Sequence, residues 1–564
     1  MTIKKRRTAF LINLLLLVAL SFGAFTQPSA QETRPQRDRR VTTPTPAVTP
    51  TPKQTPTPAI APAPTPRPAA TPAAQASVPA PKTVEELRAR IQEVLRNPEL
   101  APAQMAVKIA SLDTGRTLFE ENAAKLLHPA SNMKIYTVSA ALDRLGPDFR
   151  FKTSAYALSM PDAAGTIRGD LIIYGRGDPS FAASFNNGDY YKAIDDFAAR
   201  IAATGVKRIE GNVVGDESYF TGPRLGYGWE WDDLQWYYGA EISALTVDDN
   251  SLDIFVRPGD TVGAQGIVTT GPVTPIVTII NHTMTGPQGT RRNITVVRPL
   301  GTNTIEVSGS VPLGLDAADK GNVGSVAITN PALLFVYMLR SSLAAKGVTI
   351  TGQSQTIDAR GRGGVSLQTN SLVEIASVQS PPFSQIAAQT LKPSQNLYTE
   401  LILRTLAKTV SPNGSTPERT TADDGIEAVK AFLRQAGIEP HGQVVQADGS
   451  GLSRHDYITA NGTLQLLTYM NTHRYASVFR DALPIAGVDG TLRTRMRNTP
   501  AAGNLRAKTG TINGVASLSG YVTTAAGEHL VFSIILNNYP EESTARRVFI
   551  DNIAVLLASF AGRS

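Results

Sequence analysis

Four basic residues, Lys4, Lys5, Arg6 and Arg7, precede an apolar run from Ala9 to Phe25 that only Asn13 and small residues interrupt. This is the charge-then-apolar order of an export signal. The run closes near Pro28, Ser29 and Ala30, with Pro28 where a small residue is preferred, so residues 1–30 are expected to be a cleaved signal peptide or an uncleaved membrane anchor. Over residues 31–82 the hydrophobic pattern stops and Thr-Pro and Ala-Pro units such as Thr43-Pro44-Thr45-Pro46 take over. Such a segment buries no core and is expected to be a disordered, semi-rigid polyproline-II spacer, spanning up to roughly 150 Å at ~3.1 Å per residue. It reads either as a tether that lifts a globular body from a membrane or as a passive linker.

Periodicity resumes at Val84, Leu87, Ile91 and Leu95, an apolar stripe at helical spacing, with Thr83 and Glu86 in front of it as a capping box. Residues 105–112 and 117–121 flank the turn Asp113-Thr114-Gly115-Arg116 and predict a β-hairpin, followed by a helix over about 130–145. The far end has the same character. Strands are predicted over 505–509, 515–523 and 529–536, around Asn513-Gly514 and Ala526-Gly527 turns, before an apolar helix over 543–560. Between them, residues 153–375 are rich in Gly, Thr and Val, with strand-like runs at 171–174, 293–297 and 304–308 and one helix near 331–346. Helical patterns at 382–391 and 397–407 then lead back.

At 564 residues the chain exceeds one ordinary core, and 42% apolar residues suffice for two or more domains. The net charge of +7 resembles a nucleic-acid signal until it is divided along the chain. Residues 1–82 hold 11 Lys/Arg against 2 Asp/Glu, a surplus of nine, which leaves −2 for residues 83–564. A nucleic-acid partner is therefore not expected, because that binding requires clustered Lys and Arg on the folded body. The absence of cysteine excludes disulfides, a lipid-anchored cysteine and thiol catalysis. The six histidines are scattered and no H-E-x-x-H occurs, which argues against a metal site and against a Ser-His-Asp hydrolase; no cofactor is implied. His128, three residues before Ser131, reads as a loop packing group.

Ser131-Asn132-Met133-Lys134 sets a hydroxyl and an amine three residues apart at a predicted helix start, on one face. A lysine becomes a base for a serine when desolvated and crowded by another cation. Alone this is weak, since about one S-x-x-K is expected by chance in a chain this long, and Ser131 also reads as an ordinary N-cap beside a solvated lysine. Lys508-Thr509-Gly510 lies on the strand entering the Asn513-Gly514 turn; a cation and a hydroxyl there suit a carboxylate, and the glycine permits close approach of a ligand backbone. Its bland alternative is a strand end with a solvated lysine. Ser394-Gln395-Asn396 falls between two predicted helices; Ser184-Phe185-Asn186 and Ser411-Pro412-Asn413 share the S-x-N spacing, but only Ser394 lies in an interhelical loop between the other two motifs.

In this order, S-x-x-K, S-x-N and K-T-G are the set found in penicillin-binding proteins and class A β-lactamases. The 260 residues from Lys134 to Ser394 resemble the long insert of the class C low-molecular-mass penicillin-binding proteins, the D-alanyl-D-alanine carboxypeptidase/endopeptidases. So do His128-Pro129-Ala130-Ser131, Asp448-Gly449-Ser450-Gly451-Leu452-Ser453-Arg454, Gly487-Val488-Asp489-Gly490-Thr491-Leu492 and Lys508-Thr509-Gly510-Thr511. The resemblance covers residues 83–564. It implies an α/β (α+β) transpeptidase-like catalytic domain, a sheet flanked by helices, from 83–152 and 376–564. An inserted domain II would come from 153–251 and 324–375, with a nested, largely β domain III over 252–323.

The resemblance further implies a periplasmic or envelope enzyme acting on peptidoglycan stem peptides and acylated by β-lactams. Ser131 would be the nucleophile, Lys134 its base, and Ser394, Asn396 and Lys508 the remaining catalytic groups. Thr509, Gly510 and Thr511 would hold the substrate, with the backbone N–H groups of Ser131 and Thr511 as oxyanion hole. Family members read a zwitterionic diamino acid through a domain II aspartate and an arginine after the second motif, and Asp216 and Arg454 match those places. A β-lactamase, or a cell-wall binding protein that has lost catalysis, are the alternative readings. The oligomeric state, the diamino acid and the balance of carboxypeptidase and endopeptidase action are not legible in the chain.

Overall fold

The computed structural model describes residues 79–316, 318–410, 418–539 and 545–564; the expected signal and all but the last four residues of the spacer lie outside them. Both ends of the described chain build one antiparallel sheet of five strands, ordered Arg506–Ile512, Val515–Thr523, His529–Asn537, Gln104–Ser111, Thr117–Glu121. The first strand in sequence thus pairs with the last, Val107 opposite Ile534. His529–Asn537 is buried at every position after His529, as a central strand covered on both faces must be. Its residues alternate between two cores. Phe532, Ile534 and Leu536 face a layer with Leu87, Ile91, Phe549, Ile553 and Leu557 from helices Val84–Leu95 and Ala545–Ser559. Val531 and Ile535 face the other layer, with Tyr136, Val138, Leu142, Leu466 and Leu467.

That second layer is built on helix Met133–Leu145, in which every residue from Met133 to Asp143 is buried. Helices Phe383–Leu391, Asn396–Val410, Thr421–Gln435 and Ala460–Thr472 surround it. The hairpin, the C-terminal strands and the flanking helices match the periodicity. Two details differ. Strand Arg506–Ile512 continues three residues past the expected end, so Lys508-Thr509-Gly510 is mid-strand at the sheet edge. Thr83 Oγ1 does accept from Glu86 N, at 3.1 Å, but Glu86 accepts from Lys82 N instead of returning to Thr83, so only half of the capping box forms.

The region between the first two motifs adds a mixed five-stranded sheet, ordered Ser354–Ile357, Val213–Asp216, Leu171–Tyr174, Lys152–Ala157, Val373–Gln379. Helix Pro331–Ala345 packs on it as expected, but so does Lys192–Ala202, where no helix was read from the sequence. The signal was present in Ile194, Phe197, Ala198 and Ile201, all buried at helical spacing, within only three turns. Two three-stranded sheets, including Ser251–Arg257 and Thr304–Pro312, share a smaller core of Ile254, Val256, Ile305 and Val307. Among the described residues no helix is long and apolar enough to cross a membrane.

Asp216, assigned to substrate recognition from the sequence, ends strand Val213–Asp216 with no solvent exposure. Its carboxylate is ion-paired with Arg362 Nε and accepts from Ser218 N at 2.9 Å. A carboxylate so enclosed and neutralised is a structural ion pair, and the reading of Asp216 as a ligand contact is corrected accordingly. Removing one member of a buried pair strands the other. Asp216→Ala is therefore expected to lower stability by about 3 kcal/mol in urea unfolding, and Asp216→Asn, which keeps an acceptor for Ser218 N, by less.

Candidate active site

Ser131 lies in the single 3-10 turn Ala130–Asn132 that leads into helix Met133–Leu145. Ala130 adopts φ +46°, a left-handed conformation unfavourable for any residue with a Cβ, so the surroundings must hold it. They do so from two sides. Ser517 Oγ donates to Pro129 O at 2.7 Å, and the backbones of Gly510 and Gly451 press against the turn. A Cβ on Gly510 would meet Ser517 Oγ at 2.2 Å and Pro129 O at 2.6 Å; one on Gly451 would meet Ala130 O at 1.9 Å. The glycine of the third motif thus makes room for the protein's own Pro129–Ala130 turn, whereas the sequence reading reserved that room for a ligand.

One helical turn on, Lys134 is fully buried, and its Nζ lies 2.9 Å from Ser131 Oγ, 2.6 Å from Asn396 Oδ1 and 2.7 Å from Ser450 O. The solvated-lysine alternative is excluded. Burial pushes the Lys134 pKa down to about 7, and the carboxylates of Asp448, Glu400 and Asp456 limit the fall. Lys508 is also fully buried; its Nζ donates to Ser394 Oγ at 2.8 Å and to Thr509 O at 2.9 Å. Its pKa is driven well below the ordinary lysine value by burial and by the charge of Lys134. Ser394 stands in the loop before helix Asn396–Val410 at φ +69°. Asn396 accepts from Lys134 and donates through Nδ2 to Tyr238 O at 2.9 Å.

Ser131, Ser394, Asn396, Arg454, Thr509, Gly510 and Thr511 line one cavity of about 790 Å³. Lys134 and Lys508 lie just beneath it, bonded to the two serines. Asp216 is not on its wall. Thr509 Oγ1 is 2.7 Å from Thr491 Oγ1, which draws the phrase 487–492 into the site. Thr511 Oγ1 turns back on Gly510 O, at 2.8 Å. His128 packs on Tyr457, ring centroids 4.4 Å apart, and does not line the cavity.

Several wall residues were not singled out. The opposite side of the cavity is the inserted segment carrying Glu230, Asp232, Asp233, Tyr237 and Tyr238. Arg454 Nε donates to Glu230 Oε2 at 2.9 Å and its Nη1 to Asn513 O at 2.8 Å, so the arginine bridges this segment and the turn after the third motif. Asp233 is pushed up to about 6 by burial and by Asp232 and Glu230 beside it. Asp448 was quoted without a role; it accepts from the backbone N–H groups of Ser450, Gly451 and Ser453 and from Trp229 Nε1. It fixes the segment that carries Ser450 O under Lys134 and Gly451 against Ala130. The acidic run at 230–233 has no diagnostic spacing, so only its position across from Arg454 marks it.

Comparison with known proteins points to one family. Residues 87–560 match the model of the D-Ala-D-Ala carboxypeptidase 3 (S13) family. A D-alanyl-D-alanine carboxypeptidase of Actinomadura sp. (strain R39) is 35% identical over 489 residues, 85% of each chain. The D-alanyl-D-alanine carboxypeptidase DacB of Haemophilus influenzae is 26% identical over 440 residues, 76% of this chain and 84% of its own. The crystal structure of penicillin binding protein 4 from Haemophilus influenzae superposes with a TM-score of 0.67 at 23% identity, over 83% of this chain and 99% of that one, and shows the same fold. With a family match spanning nearly all of the described residues and a relative above 30% identity over most of its length, the chain belongs to the D-Ala-D-Ala carboxypeptidase 3 (S13) family of serine peptidases.

Proposed function

We propose that the protein cleaves D-alanyl-D-alanine-type ends and cross-links of peptidoglycan stem peptides through an acyl-enzyme on Ser131, and that β-lactams acylate the same hydroxyl. The observation that carries this reading is the 2.9 Å hydrogen bond between Ser131 Oγ and a buried lysine whose pKa lies near 7. Neutral Lys134 takes the Ser131 proton as Oγ attacks the carbonyl of the penultimate D-alanine. With Lys134 neutral, its electrostatic pressure on Lys508 disappears, so the pair favours one neutral amine and one ammonium. Lys508 then supplies a proton through Ser394 to the departing amine, a route supported by the 2.8 Å contact between them. Water then attacks the acyl carbonyl and gives its proton through Ser394 to the now neutral Lys508, while Lys134 returns its proton to Ser131 Oγ as the acid departs, so both amines end as they began. Asn396 holds Lys134 and the substrate amide, Thr509 helps bind the terminal carboxylate, and the Ser131 and Thr511 N–H groups receive the developing oxyanion, where one lost donor typically costs about 2.7–4 kcal/mol.

The zwitterionic end of the diamino acid falls to Arg454 for its carboxylate and to the Asp232 and Asp233 side of the wall for its ammonium. The shared cavity and the Arg454–Glu230 pair support this in place of Asp216. Residues 83–152 and 376–564 make the catalytic domain, 153–251 and 324–375 domain II, and 252–323 domain III. The pairing of Val373–Gln379 with Lys152–Ala157 supports ending domain II a few residues later than 375, near residue 380. Envelope location fits the family, with residues 1–30 directing export and 31–82 as tether.

Ser131→Ala is expected to abolish covalent labelling by a fluorescent penicillin and release of D-alanine from purified muropeptides, with the thermal transition retained; labelling that persisted would place the nucleophile elsewhere. The base must be unprotonated, and Lys134 gains its proton as pH falls through about 7. Acylation rates should therefore fall about tenfold per unit below that pH and, above it, hold only while Lys508 keeps the proton it donates, declining again at more alkaline pH. Arg454→Ala should raise KM for stem peptides several-fold with little change in penicillin acylation, since only the former presents the diamino acid; steady-state kinetics on both substrates distinguishes the two.

A further inference from the structure

We infer that Asp249, a residue of the inserted region, is a positioning residue for the second motif, holding the Ser394–Asn396 loop in register with the two buried lysines. This rests on Ser131 being the acylated residue. Asp248, Asp249 and Asn250 stand consecutively at φ 45, 56 and 53°, three non-glycine residues in the left-handed region. Runs of this kind are rare for residues with a Cβ and persist only where the surroundings hold them. Here the turn is fastened on both sides of Asp249. Asn250 Oδ1 accepts from Val247 N at 3.1 Å and its Nδ2 donates to Glu241 O at 2.7 Å, while Asp248 Oδ1 accepts from Ala183 N at 3.2 Å. The flanking side chains fix the turn, and the middle carboxylate is left to reach outward.

It reaches the start of helix Asn396–Val410. Tyr398 OH donates to Asp249 Oδ1 at 2.6 Å, with Ser184 Oγ 2.9 Å from the same hydroxyl. Tyr398 stands two residues after Asn396 in the first turn of that helix, so the carboxylate holds the helix start that carries the motif's asparagine. The other end of the loop is held by the catalytic domain, with Lys392 Nζ 2.5 Å from Asp489 Oδ2 and Thr491 N donating to Lys392 O at 2.9 Å. Ser394, strained at φ +69°, is suspended between these two anchors with its hydroxyl on Lys508. Releasing either anchor lets the loop relax and carries Ser394 Oγ and Asn396 Oδ1 off the amines they serve.

The test follows acylation by a fluorescent penicillin, separating the dissociation constant of the first complex from the acylation rate constant, with active-site titration to count folded sites. Asp249→Ala is expected to slow acylation by about tenfold to a hundredfold per titrated site at an unchanged dissociation constant, since small misplacements of reacting groups act on the chemical step. Asp249→Asn keeps an acceptor for Tyr398 and should recover most of the rate. Tyr398→Phe should slow acylation comparably, and the double variant Asp249→Ala/Tyr398→Phe should be no slower than the slower single one. A wild-type rate constant in Asp249→Ala, single effects that multiply in the double variant, or a loss confined to the number of titratable sites would each overturn the inference. Failure of the wild-type protein to take up any penicillin would instead sink the reading of Ser131.

Discussion

Two lysine side chains are buried under one cavity without a directly hydrogen-bonded carboxylate on either, and the rest of the site follows from that constraint. Desolvation makes a second ammonium in the same region unfavourable, so Lys134 and Lys508 are pushed away from their ordinary basicity. Each amine then relies on neutral oxygens: Ser131, Asn396 and Ser450 for Lys134, Ser394 and Thr509 for Lys508. The nearest acids, Asp448, Glu400 and Asp456, act on Lys134 from a distance and keep its proton affinity from falling further. A direct ion pair would restore the charge and remove the base.

Burying two amines requires a core around them, which explains the weight of structure behind a few reactive atoms. Helix Met133–Leu145 is buried nearly all round because it runs between the sheet and four other helices, and Lys134 is carried inside it. Lys508 sits on a strand whose inward side is closed by that same layer. Where the polypeptide segments meet, backbone contacts replace side chains: Gly510 and Gly451 admit the Pro129–Ala130 turn, and a Cβ at either would collide with that turn next to Ser131.

Much of this was legible in the chain, and for a local reason. The three motifs are short strings whose chemistry travels with their spacing, and the strands at the C-terminal end are bounded apolar runs between turn residues, as in His529–Asn537. What was not legible depends on tertiary position. Asp216 and Asp233 both belong to the inserted region and no local pattern separates them; the fold pairs one with Arg362 out of solvent and sets the other on the cavity wall with Arg454. The Lys192–Ala202 helix was overlooked because three amphipathic turns stand out weakly within a long Gly- and Thr-rich β segment. The left-handed residues Ala130, Asp249 and Ser394 have no sequence mark at all, since their conformations are imposed by packing and hydrogen bonds from elsewhere.

The long insert fits the same economy of contacts. It leaves the catalytic sheet region through Lys152–Ala157 and returns through Val373–Gln379, and these strands pair antiparallel with Lys152 opposite Gln379. Phe151 and Ser380 are joined by hydrogen bonds in both directions just outside that pair. The ends of the insert are therefore neighbours, so its length places little demand on the closure of the catalytic core. What it adds is asymmetric. The segments from the two chain ends carry Ser131, both buried amines and, on the cavity wall, Thr509, Thr511 and Arg454, while the insert contributes the acidic wall at 230–233, the Tyr238 carbonyl under Asn396 and the turn that grips Tyr398. The two parts meet at the second motif, where Asn396 bonds to Lys134 on one side and to Tyr238 O on the other.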